Sequence, residues 1–318
     1  MTSHQQMRSP TTPAAQRARA LQRVEEHIGA LLADEHGRWA AENSAAAVLV
    51  GDLATVMRAG RDRVRAALLL SGYLAAGGDP EAPQVLDAAA ALEFLDTWLL
   101  IRSDIREGAA LRRGLPTLHV SHAAEHERNG WRGESRRFGE GAAVLAGDLA
   151  LAYADRLASG LPAGARRIWD ELRAERVLGA HASAAAGAAY EDDPWPGRCV
   201  IADCPRGCAA GWYAVRQPML LGATLAGRPE LAEAYAAYSD KIHAGWRLRG
   251  FLAGGPDFGE DAELLRDVLF DGGTRRAAET LAGELAAAGS EALAPALSLV
   301  WRAELGILGA LLTAGEHG

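Results

Sequence analysis

Apolar residues return every three or four positions along most of this chain. Between Gln16 and Leu32 they fall at Ala20, Leu21, Val24, Ile28, Leu31 and Leu32, the stripe of an amphipathic helix. The same spacing predicts helices over about 44–58, 62–76, 83–105, 137–159, 165–189, 209–226, 229–252, 260–270, 274–288 and 291–314. Breaks fall at Gly77-Gly78-Asp79-Pro80, Gly160 to Gly164, Pro194 to Pro205, Gly227-Arg228-Pro229, Gly254-Gly255-Pro256 and Gly272-Gly273. No helix–strand alternation and no short repeat interrupts this pattern. Aromatics are only 6% of the chain, and alanine and leucine outnumber the β-branched residues that strands favour. The expectation is a disordered leader over 1–15, containing Ser9-Pro10 and Thr12-Pro13, followed by a single all-α domain over 16–318.

Charge narrows the function classes. The formal net charge is −8, opposite to the basic face that a nucleic-acid binder presents, so that class is disfavoured. No apolar run reaches the ~20 residues of a membrane span, and no basic segment precedes an apolar core at the N-terminus. A cytoplasmic protein with reduced thiols is expected. Among the basic residues Lys241 is the only lysine. An arginine at a position where lysine is expected is therefore compositional drift, but an aspartate or alanine there is not.

Several segments, in this order, resemble the trans-polyprenyl diphosphate synthases, all-α enzymes that join an allylic diphosphate to isopentenyl diphosphate. Gly60-Arg61-Asp62-Arg63-Val64-Arg65-Ala66 resembles the family's G-G-K-R-L-R-P. Residues 92–107, ending Ser103-Asp104-Ile105-Arg106-Glu107, resemble the helix of the first aspartate-rich motif, D-D-x-x-D. Leu111-Arg112-Arg113-Gly114-Leu115-Pro116-Thr117-Leu118-His119 matches L-R-R-G-x-P-T-x-H at every defined position, and Leu145-Ala146-Gly147-Asp148 matches L-A-G-D. The resemblance runs from about 45 to 265. It implies an isoprenoid-synthase-type helical bundle around a central apolar cavity, a homodimer, and allylic prenyl diphosphate as substrate.

The family ionises its allylic substrate with Mg²⁺ held between two carboxylate clusters, because the departing diphosphate must be neutralised. Here Asp104 and Glu107 keep an i, i+3 spacing that places both on one helix face, either a weak Mg²⁺ or diphosphate site or a helix-face salt bridge to Arg106, Arg112 or Arg113. The leading aspartate has become Ser103. The second cluster falls on Arg247-Leu248-Arg249-Gly250-Phe251-Leu252-Ala253-Gly254, which holds no acid; Asp257, Glu260 and Asp261 lie beyond a Gly-Gly-Pro turn. The family's G-Q-x-x-D falls on Ala180-His181-Ala182-Ser183-Ala184 and its K-[ST] on Ala209-Ala210. In the isopentenyl diphosphate pocket the lysine is Asp62 and a histidine is Asp96, acids that repel a second diphosphate. Arg63, Arg65, Arg112 and Arg113 remain, enough for one diphosphate.

Three readings follow. The first is a non-canonical prenyl-diphosphate-using transferase of specialised metabolism with an unknown acceptor. In it Arg112 and Arg113 hold the diphosphate, Arg247 and Arg249 replace the second metal cluster, and Asp104 and Glu107 hold any remaining Mg²⁺. The second is a terpene cyclase acting on one allylic diphosphate. The third is a non-catalytic partner, a heteromer with an active synthase. Trp98, five residues before Ser103, either shortens the prenyl tunnel or is a core aromatic. His181 is either a cavity base or a core histidine. Cys199, Cys204 and Cys208 fit no common zinc spacing and read as ordinary thiols, and Glu191-Asp192-Asp193 as a solvated acidic loop. Arg132, Arg136 and Arg137 are expected to face solvent or a partner.

Overall fold

The computed structural model describes residues 12–59, 63–112, 114–188, 215–253 and 272–314. Eleven α-helices and one two-stranded turn occupy them: α1 (Pro13–Glu42), α2 (Ser44–Ala59), α3 (Val64–Ala75), α4 (Pro83–Glu107), β1 (Leu111–Arg112), β2 (Leu115–Pro116), α5 (Leu118–Arg128), α6 (Ser135–Ala158), α7 (Ala163–Ala188), α8 (Gln217–Leu225), α9 (Ala232–Ala253), α10 (Gly272–Ala292) and α11 (Leu299–Ala314). A single 3₁₀ turn, Pro229–Leu231, leads into α9. The fold class is all-α, as the periodicity requires.

Helix α1 begins at Pro13, inside the segment expected to lead up to it. Thr12 explains the early start: its hydroxyl accepts from the Ala15 N–H at 3.3 Å, and proline suits the first helical position because that N–H has no partner to lose. Residues 1–11 of the expected leader lie outside the described residues. The run predicted over 291–314 is broken between Ala292 and Leu299, around Pro295, whose ring cannot continue a helix. The stretch predicted over 260–270, the three cysteines and Glu191-Asp192-Asp193 also lie outside the described residues.

Two compact units divide the chain. One, here the motif unit, comprises Ala20–Ala66 and Ala82–Leu161; the terminal unit comprises Met1–Arg19, Ala67–Glu81 and Pro162–Gly318. In the motif unit α4 and α5 both pack on α6, and α2 packs on α4 and α6. The middle of α4 is buried without interruption from Ala88 to Leu95, with Trp98 and Ile101 continuing the face. Such burial releases the helix from the usual one-sided stripe. Asn43 separates α1 from α2 and caps the latter, its Oδ1 accepting from the Ala45 and Ala46 N–H groups at 2.9 and 3.3 Å.

A buried carboxylate ties α1 to α6. Glu35 accepts from Arg156 Nη1 at 2.8 Å, Arg38 Nη2 at 2.5 Å and the Tyr153 hydroxyl at 3.2 Å. Burial works against its charge, but Arg156 and Arg38 overcome it and bring the carboxyl down to about 2.

The terminal unit pairs α7 with α8 and packs α9, α10 and α11 together. Two buried tyrosines of α9 satisfy their hydroxyls on backbone: Tyr235 on the Gly72 carbonyl and Tyr238 on the Leu305 carbonyl, both at 2.8 Å. No helix among the described residues is long and apolar enough to cross a membrane.

Candidate functional site

Helix α4 ends where its chemistry begins. Gly108 takes a left-handed conformation at φ 63°, which stops the helix directly after Glu107. The chain then folds back as β1 and β2, with Leu111 opposite Pro116 and Arg112 opposite Leu115, turning at Gly114 with φ 75°. Thr117 pins the returning segment to the helix end, its hydroxyl donating to the Ala109 carbonyl at 2.7 Å.

This hairpin lays Arg112 over the last turn of α4. Its Nε and Nη2 approach Asp104 Oδ1 at 2.7 and 2.6 Å, and Nη2 lies 3.5 Å from Glu107 Oε2. Glu107 also receives the Ser103 hydroxyl and Arg106 Nη2, the latter at 3.0 Å. The two carboxylates respond differently. Asp104 is buried, and burial pushes its carboxyl above the usual range despite Arg112. Burial also pushes on Glu107, but the Ser103 hydroxyl and Arg106 outweigh it and hold the group below the usual range.

An apolar cavity of about 210 Å³ opens beside this cluster. Asp104 and Arg112 line it together with Leu100, Ile101, Leu115 and Val56, and Asp52, His119 and Ser121 add polar atoms to its wall.

The other candidate arginines have different partners. Arg63 donates from Nη1 to Glu93 at 3.0 Å and from Nη2 to the Met57 carbonyl at 2.9 Å. Its backbone sits at φ 38°, uncommon for a residue with a side chain, and these bonds hold it there. Buried Glu93 turns its other oxygen to the Ala66 N–H at 3.3 Å, capping the first turn of α3. Arg65 Nη1 meets Asp96 at 2.8 Å. Neither Arg63 nor Arg65 lines the cavity. Trp98 is buried against α6 beside Gly147, and Arg102 lies over its ring at 4.9 Å. His181 is an exposed residue of α7, neither inside the described cavity nor in the core. Arg136 and Arg137 are exposed near the start of α6, paired with Glu134 and Glu140. Arg113 lies outside the described residues, as do the side chains of Arg247 and Arg249 in α9.

A divalent cation does not fit the Asp104–Glu107 pair as it stands. Mg²⁺ takes about six oxygen ligands in octahedral geometry and tolerates no cation among them. Here Oδ1 of Asp104 is taken up by one guanidinium, and Glu107 is shared among a hydroxyl and two guanidinia. Among the described residues no three His, Cys, Asp or Glu side chains converge as a metal-ligand group.

Residues 48–180, which contain the hairpin, both carboxylates and Arg112, match the polyprenyl synthetase family. Relatives include a geranylgeranyl diphosphate synthase of Saccharolobus solfataricus, 38% identical over 96 residues, which is 30% of this chain and 24% of that protein. A farnesyl diphosphate synthase of Geobacillus stearothermophilus is 37% identical over 107 residues, 33% of this chain and 30% of that protein. The chain thus matches less than a third of the length of these curated relatives. Across 95% of the chain the fold is similar to 98% of a Corynebacterium glutamicum geranylgeranyl pyrophosphate synthase crystallised with isoprenyl diphosphate and magnesium, with a TM-score of 0.76 and 24% identity. A decaprenyl diphosphate synthase of Rhodobacter capsulatus gives a TM-score of 0.67 at 19% identity over 95% of this chain and 99% of that one. The fold of these synthases is therefore present, and the motif segments at 60–66, 92–107, 111–119 and 145–148 sit inside the matched residues.

The sequence reading passed over Asp52, Glu93 and His122. Asp52 carried a signal, a lone acid in the otherwise apolar run Ala45–Met57, which is costly unless partnered.

Proposed function

We propose that this chain binds one allylic prenyl diphosphate at Arg112 and transfers its prenyl group to an acceptor other than isopentenyl diphosphate. The observation that carries the proposal is the Arg112 clamp on Asp104 at 2.6 and 2.7 Å, at the edge of an apolar cavity within a polyprenyl synthetase segment. The site's cation is supplied by the chain itself. A guanidinium presents a planar fork to a phosphate as readily as to a carboxylate, so an incoming diphosphate competes with Asp104 for it. As the allylic C–O bond breaks, the electron pair leaves on the diphosphate oxygen, and Arg112 neutralises the growing charge. Asp104, released from its partner in a buried position, then takes up a proton, as the upward displacement of its carboxyl favours. On this reading magnesium is dispensable.

Elongation by isopentenyl diphosphate is disfavoured because Arg63 and Arg65 are spent on Glu93 and Asp96. That same observation favours a second reading, in which the chain is a silent partner of an active synthase. The expected assembly is a homodimer in the first case and a heteromer in the second.

Pyrophosphate release tests the choice. The purified chain is offered C10, C15 and C20 allylic diphosphates with and without isopentenyl diphosphate, and products are extracted for mass analysis. Release that isopentenyl diphosphate does not accelerate, and that Arg112→Ala lowers by about 100-fold, is the expected result, since removing one preorganised cation costs that order. Cyclic products in the absence of any acceptor would make it a cyclase; silence, with product length changed in an added synthase, would make it the silent partner.

A further inference from the structure

The cavity next to Arg112 has a second polar pole that the diphosphate does not use. Asp52, on α2, lines it. His122, on α5 and buried, holds this carboxylate from behind, with Nε2 2.8 Å from Asp52 Oδ2; its Nδ1 lies 3.5 Å from Glu125. Asp52 Oδ1 has no protein partner among the described residues. The histidine is locked in turn, because the Phe138 ring packs edge-on against it at 6.4 Å. The lining between the two poles is mostly apolar: Val56, Ala59, Leu100, Ile101, Leu118 and Ala143. An aspartate that faces a largely apolar wall, with one oxygen held by a dedicated histidine, suits a ligand with a proton to give.

From this geometry we propose that the cavity is the acceptor site, and that Asp52, positioned by His122, receives the proton of a small O–H or N–H nucleophile. The proposal rests on the transferase reading and specifies its acceptor. At about 210 Å³ the cavity falls short of the ~300–1,000 Å³ of drug-sized ligand sites, so the occupant is small, on the scale of one ring. The step balances as follows. The allylic C–O bond breaks and its electron pair leaves on the diphosphate at Arg112. A lone pair of the acceptor oxygen forms the new C–O bond to the allylic carbon, and the proton that oxygen loses passes to the Asp52 carboxylate. A carboxylate is a sufficient base here, because the oxygen becomes strongly acidic once it bonds to the allylic cation.

The test uses the full chain, the C10–C20 allylic diphosphates and phenol as the acceptor, and reads the ratio of prenylated phenol to prenyl alcohol. Wild type is expected to prenylate phenol, and Asp52→Asn, which keeps the shape of the side chain, to lower the ratio about 100-fold, the scale of a lost general base. His122→Phe is expected to lower it about 10-fold and His122→Gln, which keeps a donor, to restore most of it; a merely structural role would not move a partition ratio. Circular dichroism checks that each variant folds, and the ratio is itself independent of how much active protein remains. An unchanged ratio in Asp52→Asn overturns the proposal. Pyrophosphate release by wild type with only prenyl alcohol formed in the presence of phenol also overturns it while leaving the transferase reading in place. No release at all removes both, and so marks a failure of the underlying reading.

Discussion

Arg112 and Arg63 both belong to arginine motifs, yet they spend their charge differently. Arg112 lies at a cavity wall and is 30% exposed, within reach of an incoming anion. Arg63 is 11% exposed and serves a buried glutamate that caps a helix, where removing either partner would strand a charge. Glu35 shows how much such a carboxylate can contribute. Its carboxyl stands at about 2 against 4.5 for a free glutamate, so the bound arginines stabilise the fold above pH 4.5 and the gain is lost as the pH falls toward 2. Both arginines are about half exposed, which reduces the contribution to about 2 kcal/mol at neutral pH. Urea unfolding of Glu35→Gln at pH 7 is expected to show that loss, shrinking to less than half at pH 3. An equal loss at both pH values would mean that Glu35 acts by packing alone.

At the scale of elements, α5 is the most instructive helix. Sequence periodicity marks every other described helix in some form but passes over 118–128, because the buried positions of α5 are His122 and His126, four residues apart. A hydrophobicity pattern does not count histidine as core. Here His122 is held by Asp52 and His126 by the Arg132 carbonyl at 3.1 Å, and both rings pack against Phe138. The approach of α5 to α6 depends on Gly139, where an added Cβ would stand 2.1 Å from the His119 carbonyl oxygen. Since that contact is backbone, Gly139→Ala must push the helices apart, at a cost of about 1–3 kcal/mol. It is expected to lower the melting temperature by several degrees and to displace the His119 wall of the cavity, while Gly141→Ala, with open space around it, is expected to do neither. Equal melting temperatures for the two variants would contradict the packing argument.

At the scale of the whole molecule, the all-α class and the hairpin site were legible in the chain because helical periodicity and the Leu111–His119 string are local signals. What Arg63, Arg65 and Asp52 do was not legible. Their partners Glu93, Asp96 and His122 are about 30 to 70 residues away in sequence, and only the packing of α2, the start of α3, α4 and α5 in the motif unit brings them together. The helix break at Pro295 was readable and was overridden by the apolar run around it. The central claim is that this chain holds an allylic diphosphate with guanidinium in place of magnesium. It is tested most directly by titrating a non-ionising allylic thiolodiphosphate calorimetrically into wild type and Arg112→Ala, each with EDTA and with Mg²⁺. The account predicts wild-type affinity within about threefold in the two buffers and a loss of at least about tenfold in Arg112→Ala, the scale of one charge-assisted bidentate contact. Binding that appears only with Mg²⁺ and survives the loss of Arg112 would contradict it.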